Sequence, residues 1–209
     1  KVLADSLVGQ QGVPEELYQE FLSDITEEID RENKIITDLL SLVKMDKKAA
    51  DMNISNMNIN ELLENILKRL RPIADQRRID LILDSFRPVT ADVDEVKFTL
   101  AISNLVENGI KYNVDEGWVR VTLDADHKDF YVTVADSGLG IPEDSIERIF
   151  ERFYRVDKSH SREIGGTGLG LAIVKHIVAR NNAHLDMVSE PGRGTDISVT
   201  FDKYRGDGE

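Results

Sequence analysis

The stretch GWVRVTLDADHKDFYVTVADSGLG, residues 117–140, determines the fold of this chain. Apolar and polar residues alternate on both sides of the turn DHKD, residues 126–129. A repeat of two residues is typical of antiparallel strands that bury one face. The second run ends at Asp136, which Ser137, Gly138, Leu139 and Gly140 follow. The stretch therefore predicts a β-hairpin that carries a carboxylate at the end of its second strand.

Further strands and helices are predicted on both sides of this hairpin. Short runs predict four more strands, over residues 79–86, 88–92, 184–190 and 195–201. Helical patterns are found over residues 59–78, 94–111 and 142–153, and after the glycine-rich stretch 165–170. This order predicts an α+β sandwich in which a helix layer covers a mixed, mostly antiparallel sheet.

Residues 1–46 have a different, purely helical pattern. Apolar residues fit one helix face until GQQGVPEE, residues 9–16, interrupts it, and a second helix of about 30 residues follows Pro14. A hairpin of two helices cannot bury its apolar stripe alone, so we expect a dimeric four-helix bundle. Residues 47–58 are predicted to be a polar linker, and residues 59–209 to form the second domain.

Composition and charge exclude several classes of protein. The 209 residues include no cysteine, which excludes disulfides and thiolate zinc sites. A net charge of -13 would be repelled by a phosphate backbone, so we expect no nucleic-acid partner. No apolar run approaches the roughly 20 residues that span a bilayer. Because the chain begins at Lys1 within a periodic pattern, we expect it to be part of a longer protein.

The predicted helix 94–111 carries polar residues on one face. Asn104, Asn108 and Lys111 are spaced four and three apart, so they share this face, whereas neighbouring apolar residues point toward a core. Amide oxygens and a cation on one face suit hydrated Mg²⁺ and phosphates, because Mg²⁺ prefers oxygen ligands and shares its shell with phosphates. A solvated helix face is the alternative interpretation.

The residues around Asp136 indicate a second candidate site. The glycines that follow let the backbone turn sharply and approach a ligand. A carboxylate at this position could accept a hydrogen bond from an exocyclic amine, such as that of adenine. A plain Asp-Ser-Gly turn is the alternative.

The glycine-rich stretch GGTGLG, residues 165–170, matches neither of two familiar phosphate loops. A dinucleotide-binding fingerprint needs a strand before its glycines, but the charged run RVDKSHSRE precedes them here. A Walker loop needs Gly-Lys-Ser/Thr, which is absent. What remains is a flexible loop that leads into a helix, whose free N–H groups favour an anion. The turn EPGRGT, residues 190–195, joins the last two strands.

In this order, the segments resemble the boxes of the sensor histidine kinases of two-component systems. NLVENGIKYN is similar to the asparagine box, DSGLGI to the first glycine box, IFERFYR to the phenylalanine box, GGTGLGLAIVK to the second glycine box and GRGT to the third. Residues 1–46 resemble the family's dimerisation and histidine-phosphotransfer hairpin. The resemblance implies a GHKL-type fold that binds ATP and Mg²⁺, a homodimer, and a response-regulator receiver domain as partner.

The resemblance also implies a role for each residue that matches a box. Asn108 would hold Mg²⁺ with support from Asn104, while Lys111 and Arg155 would reach phosphate oxygens. Asp136 would accept a hydrogen bond from the adenine amine. The remaining residues would surround the nucleotide or shape the loops that close on it: Tyr112, Gly138, Gly140, Ile141, Gly166, Gly168, Leu169, Gly170, Leu171 and Thr195. Tyr112 and Leu171 could instead belong to the core alone, and Arg155 could be a solvated charge.

One departure from the family concerns the phosphoacceptor. The box His-Glu-Leu-(Lys or Arg)-Thr-Pro does not occur, and His127, His160, His176 and His184 lie in other contexts. We expect the acceptor upstream, in a cytoplasmic domain of a membrane-anchored bacterial sensor. A GHKL-type ATPase is one alternative, although Asn104 occupies the position of that class's general-base glutamate. A non-catalytic dimeric scaffold is another.

Overall fold

The structure is a computed structural model that describes residues 14–47, 53–156 and 166–204. Within these ranges the helices are α1 (Glu15–Lys47), α2 (Ile59–Gln76), α3 (Glu95–Lys111) and α4 (Gly170–Arg180). The strands are β1 (Ile54–Asn58), β2 (Asp80–Ser85), β3 (Thr90–Asp94), β4 (Trp118–Ala125), β5 (Asp129–Asp136), β6 (His184–Glu190) and β7 (Gly194–Asp202).

Five strands form the main sheet in the order β2-β4-β5-β7-β6. β2 runs parallel to β4, and the other neighbouring pairs are antiparallel. Val121 lies opposite Val134, and Val132 lies opposite Val199, so buried side chains of neighbouring strands share one face. The predicted hairpin and the mixed, mostly antiparallel sheet are confirmed.

Strands β1 and β3 form a separate two-stranded antiparallel sheet, in which Ile54 lies opposite Asp94. Asn58 ends β1 and caps α2, because its side chain accepts a hydrogen bond from the backbone N–H of Glu61 at 3.3 Å. The prediction of a patternless linker over residues 47–58 is therefore wrong in its second half. Residues 54–58 find their backbone partners in residues 90–94, which lie far along the chain.

Helices α2, α3 and α4 pack on the main sheet and close its core. α3 is central, because it contacts α2, α4, β4 and β5. Asp94 caps its start, because the Asp94 side chain accepts a hydrogen bond from the backbone N–H of Lys97 at 3.1 Å. Its buried residues are Phe98, Ala101, Ile102, Ser103, Leu105, Val106, Gly109 and Ile110.

Helix α1 contacts α4. Leu42 of α1 is 1% exposed and belongs to a second apolar cluster, whose other buried members are Ala101, Leu169, Ile173 and Ile177. The predicted long helix after Pro14 is confirmed at 33 residues, and the helix predicted before it lies outside the described residues. Among the helices that the structure describes, none has the combination of length and apolar character needed to cross a membrane.

The prediction of a helix over residues 142–153 is wrong. Only Glu143–Ser145 forms a 3₁₀ turn, and the residues after it form successive turns. The backbone N–H of Phe153 donates to the carbonyl oxygen of Gly168 at 2.9 Å, and φ at Phe153 is +65°. This positive φ is incompatible with a right-handed helix at Phe153, where the chain turns and its backbone bonds to the glycine-rich stretch.

Three aromatic rings from α3, β5 and β7 cluster in the main core, where Phe130 stacks on Phe201 and Phe98 is tilted against both. The ring centroids of Phe130 and Phe201 are 5.0 Å apart, and those of Phe98 and Phe201 are 5.6 Å apart. Phe130 is fully buried. Such a ring contributes both buried apolar area and directional contacts with its neighbours.

We expect Phe130→Ala to lower the free energy of unfolding by about 3–5 kcal/mol, because it leaves a cavity among the other two rings. Chemical denaturation followed by circular dichroism measures this value. Val188→Ala is the matched control, since Val188 is 74% exposed on the edge strand β6 and should change stability by less than about 0.5 kcal/mol. Similar losses in both variants would show that the aromatic cluster does not stabilise the core.

Candidate functional site

A cavity of about 450 Å³ lies between the polar face of α3, the end of β5 and the glycine-rich stretch. It brings together segments that are far apart in the sequence. The predicted site residues that line it are Asn104, Asn108, Lys111, Tyr112, Asp136, Gly140, Ile141, Arg155, Gly166, Gly168, Gly170, Leu171 and Thr195. The individual roles of these residues stay predictions.

Asp136 lies where β5 ends, and backbone groups hold its carboxylate. Oδ1 accepts hydrogen bonds from the N–H of Gly138 at 2.8 Å and of Thr195 at 3.2 Å. Burial raises the pKa of Asp136 to about 6, although the two amides favour the ionised form and oppose this shift. Both bonds use Oδ1, so Oδ2 can accept a hydrogen bond from a donor in the cavity.

Two glycine-containing turns, one after β5 and one between β6 and β7, contact each other beside Asp136. Gly140 has φ +66°, and a Cβ at this position would collide with the carbonyl oxygen of Glu190. The N–H of Gly192 donates to the carbonyl oxygen of Leu139 at 2.8 Å, which joins the turn after β5 to the turn between β6 and β7. Gly140 therefore allows the two turns to form one continuous wall of the cavity.

The polar face of α3 forms the opposite wall. Nδ2 of Asn104 donates to the carbonyl oxygen of Leu100 at 2.8 Å, which holds this amide against its own helix. Asn108 and Lys111 are half-buried on the same face. Burial lowers the pKa of Lys111, and the nearby cation Lys34 lowers it further. A partly desolvated ammonium group of this kind gains strongly from an anionic partner.

The glycine-rich stretch enters α4 through Gly168, which has φ +70°. A Cβ on Gly168 would lie 2.9 Å from the Cα of Phe153, so only glycine fits without displacing the backbone. Gly170, the first residue of α4, lies close to the amide oxygen of Asn104, because a Cβ there would be 2.7 Å from it. The start of α4 is thus held against α3 at the cavity.

Two predicted residues do not line the cavity. Gly138 contributes its backbone N–H to Asp136 and supports the site from behind. Leu169 is fully buried in the apolar cluster with Leu42, where it anchors the glycine-rich stretch to the helices. These two residues shape the site without facing a ligand.

The structure adds residues that the sequence patterns did not indicate. Lys34 of α1 lines the cavity, and its Nζ lies 2.6 Å from Oε2 of Glu107. Asp38 of α1 accepts a hydrogen bond from the hydroxyl of Thr167 at 2.9 Å. Burial raises the pKa of Asp38, which the bond from Thr167 opposes. No local signal could have found these contacts, because they join residues more than 70 positions apart.

The described histidines lie away from the cavity. His127 and His184 are exposed, and Nε2 of His184 lies 3.1 Å from Oδ1 of Asp186. His176 is half-buried on α4. Of the histidines in the described ranges, none lines the cavity, and His160 lies outside those ranges.

Comparison with known proteins identifies similar chains. The family model described as "Histidine kinase-, DNA gyrase B-, and HSP90-like ATPase" matches residues 93–205. The chain is 34% identical over 184 residues to the sensor histidine kinase WalK of Bacillus subtilis, covering 87% of this chain and 30% of WalK. It is 34% identical over 180 residues to the phosphate regulon sensor protein PhoR of Pseudomonas aeruginosa, covering 86% of this chain and 41% of PhoR.

A solved structure has the same fold over most of the chain. Histidine kinase ThkA, in its complex with the response regulator protein TrrA, matches with a TM-score of 0.76 and 20% identity. The match covers 96% of this chain and 55% of ThkA. The chain thus spans well under two thirds of WalK, PhoR and ThkA.

We expect the stability of the chain to fall as pH rises through the titration of Asp136. The pKa of this carboxyl is about 6 in the folded chain against an ordinary value of 3.8. The folded state therefore binds the proton more tightly, and the contribution present below pH 3.8 is lost as pH rises through about 6. Asp136→Asn cannot ionise, so its stability relative to the unmodified chain should increase between pH 4.5 and 7.

Urea denaturation at several pH values measures this difference, and carboxyl NMR of Asp136 reports its titration directly. Asp80→Asn is the control, since Asp80 is an exposed carboxylate on β2. Parallel pH profiles for Asp136→Asn and the unmodified chain would contradict a raised pKa at this site.

Proposed function

Because this chain belongs to the family of histidine kinase-, DNA gyrase B- and HSP90-like ATPases, we propose that it is the kinase core of a two-component sensor. It binds ATP and delivers the terminal phosphoryl group to a histidine, from which the group passes to an aspartate of a response regulator. The similarity to WalK and PhoR supports this assignment within the family.

The proposal rests on one observation: Asp136, Asn108 and Lys111 line the same cavity. Asp136 offers a carboxylate oxygen to the exocyclic amine of adenine, since its other oxygen is held by backbone N–H groups. Lys111 and Arg155 supply positive charge for the phosphates. The site therefore has an acceptor for the base and cations for the triphosphate, which is the complementarity that ATP requires.

Mg²⁺ fits this site as a companion of ATP. Among the described residues, no group of three or more His, Cys, Asp or Glu side chains could form a protein cage for a metal. Asn108 lines the cavity and carries one amide oxygen, and Mg²⁺ bound with a nucleotide needs only one or two protein ligands beside phosphates and water. When bound, the ion would neutralise phosphate charge, with Asn108 as its protein ligand and Asn104 supporting it.

The reaction requires positioning and charge neutralisation more than covalent chemistry by the protein. Lys111 and Arg155 hold the phosphates and stabilise the charge that develops on them. The glycine-rich stretch closes over the triphosphate from α4. The acceptor histidine is carried by a helical hairpin with the family's phosphoacceptor box, which does not occur in these 209 residues.

A hydrolysing ATPase is the second candidate from the same family. Such an enzyme needs a general base to activate water, and a glutamate one helical turn before Asn108 would supply it. Asn104 occupies that position, and its amide donates to the carbonyl oxygen of Leu100. An amide cannot take up a proton near neutral pH. This residue favours phosphoryl transfer to a protein over hydrolysis.

The exposed side of α1 indicates how the chain would bind a second copy of itself. Large apolar side chains face solvent along this helix at Leu22, Ile25, Ile29, Ile36, Leu40 and Val43. We propose that they pair with a second copy in a four-helix bundle, because a helix stripe of this kind is stable only when covered. A receiver domain binds beside this bundle, and ThkA in complex with TrrA provides a precedent for such an assembly. The parent sensor presents this part to the cytoplasm from a membrane anchor.

Titration with a fluorescent ATP analogue in the presence of Mg²⁺ tests the nucleotide site. We expect saturable binding that Asp136→Asn weakens at least about tenfold, because loss of a charged hydrogen-bond acceptor costs roughly 1.5–3 kcal/mol. Asp80→Asn, which removes an exposed carboxylate on β2, should leave the affinity unchanged. Absence of binding, or equal binding by Asp136→Asn and the unmodified chain, would sink the proposal.

The same protein tests the transfer step with ATP labelled in its terminal phosphate. We expect no labelling of this chain alone and transfer to an added hairpin that carries the phosphoacceptor box. The label should be acid-labile and alkali-stable, as a phosphohistidine is. Labelling of one of the chain's own four histidines would overturn the assignment of the acceptor. Steady release of phosphate without a labelled protein would favour the ATPase.

Analytical ultracentrifugation tests the dimer. We expect the chain to sediment as a concentration-dependent dimer and Ile25→Asp to shift it toward monomer, because a buried charge would disrupt the bundle. Val188→Asp is the control, since Val188 is also apolar and exposed but belongs to β6 and not to α1. A monomer at all concentrations, or a dimer that survives Ile25→Asp but not Val188→Asp, would contradict the placement of the interface on α1.

A further inference from the structure

We propose that Lys34, carried by α1, is a phosphate ligand of the nucleotide site, through which the helical segment detects the phosphates of the bound nucleotide. The proposal rests on the function proposed above, since it assumes that the cavity holds ATP. It adds to that function a residue from outside the motifs of the nucleotide-binding part.

Lys34 reaches the cavity because a docked face of α1 positions it there. Lys34, Asp38 and Leu42 are each one helical turn apart, so they lie on the same side of the helix. Leu42 is 1% exposed in the apolar cluster that includes Leu169, and Asp38 is 8% exposed where it accepts the hydrogen bond from Thr167. Contacts at two successive turns therefore hold the third turn, with Lys34, at the edge of the cavity.

The charges around Lys34 are balanced in the structure. Its Nζ lies 2.6 Å from Oε2 of Glu107, and the side chains are 40% and 24% exposed. Lys111 and Asp38 are close enough to this pair to interact with it electrostatically. Two lysines and two carboxylates thus form one cluster beside the glycine-rich stretch, and its formal charge is zero when all four groups are ionised.

A triphosphate would change this balance. It brings several negative charges next to Lys111, and these repel Glu107 while attracting Lys34. The ammonium group of lysine sits on a flexible stem with three rotatable donors, so it can exchange a carboxylate for a phosphate oxygen without movement of the helix. Lys34 and Glu107 both line the cavity, so the exchange would take place by rotation of the Lys34 side chain within it.

A nucleoside monophosphate tests this idea because it keeps the base and ribose and lacks the distal phosphates. We expect Lys34→Met to weaken binding of a non-hydrolysable ATP analogue about tenfold, since a charge-assisted hydrogen bond is lost. Binding of AMP should change less than about twofold, because the base contacts remain. Lys34→Arg should retain ATP affinity. Isothermal titration calorimetry of the 209-residue chain with Mg²⁺ provides all these values.

Two further variants separate a phosphate ligand from a residue that only pairs with Glu107. Glu107→Gln frees Lys34 and removes a repulsive charge, so it should maintain or strengthen binding of the ATP analogue. Lys68→Met is the matched control, since Lys68 is exposed on α2 and does not line the cavity. If Lys34→Met and Glu107→Gln weaken ATP binding equally, the pair is only structural and the proposal is overturned.

The outcomes also distinguish this proposal from the function it rests on. If Lys34→Met changes ATP and AMP affinity by the same factor, or changes neither, Lys34 is not a phosphate ligand while ATP binding stands. If the unmodified chain binds no ATP, the proposed function fails and this inference fails with it. Unaltered AMP binding by Lys34→Met serves as the internal check that the variant is folded.

Discussion

The burial of one side of α3 is the constraint on which the rest of the structure depends. Phe98, Ile102 and Leu105 must leave water, and they can do so only between the sheet and the neighbouring helices. Since a helix side chain has a fixed angular position, Asn104, Asn108 and Lys111 are then directed away from the core. One packing requirement thereby places three polar side chains in the wall of the cavity.

The register of the main sheet fixes the wall of the cavity that contains Asp136. β5 is held between β4 and β7, so the position at which Asp136 ends the strand is set by the sheet register. Thr195 lies opposite Asp136 on β7 and can therefore donate its N–H to that carboxylate. The sheet and the buried helix α3 thus hold the two walls in place.

Helix α1 brings charge to a site whose motifs all lie elsewhere. The apolar contact at Leu42 and the bond from Thr167 to Asp38 tie it to the start of α4. Because the glycine-rich stretch ends there and itself supplies Thr167 and Leu169, a movement of α1 and a movement of this stretch cannot be independent. Under the function proposed above, this contact would link the occupancy of the nucleotide site to the position of α1.

The sequence alone determined the elements whose signals are local. The alternation over residues 117–136 predicted the hairpin, helical periodicity predicted α1 to α4, and the ordered boxes indicated the family, because each depends on the spacing of neighbouring residues. Only the tertiary structure decided the pairing of β1 with β3, the loss of the helix predicted over 142–153, and the arrival of Lys34 and Asp38 at the cavity. These features depend on contacts between residues far apart in the chain, where backbone and charge pairing in three dimensions overrides local preference.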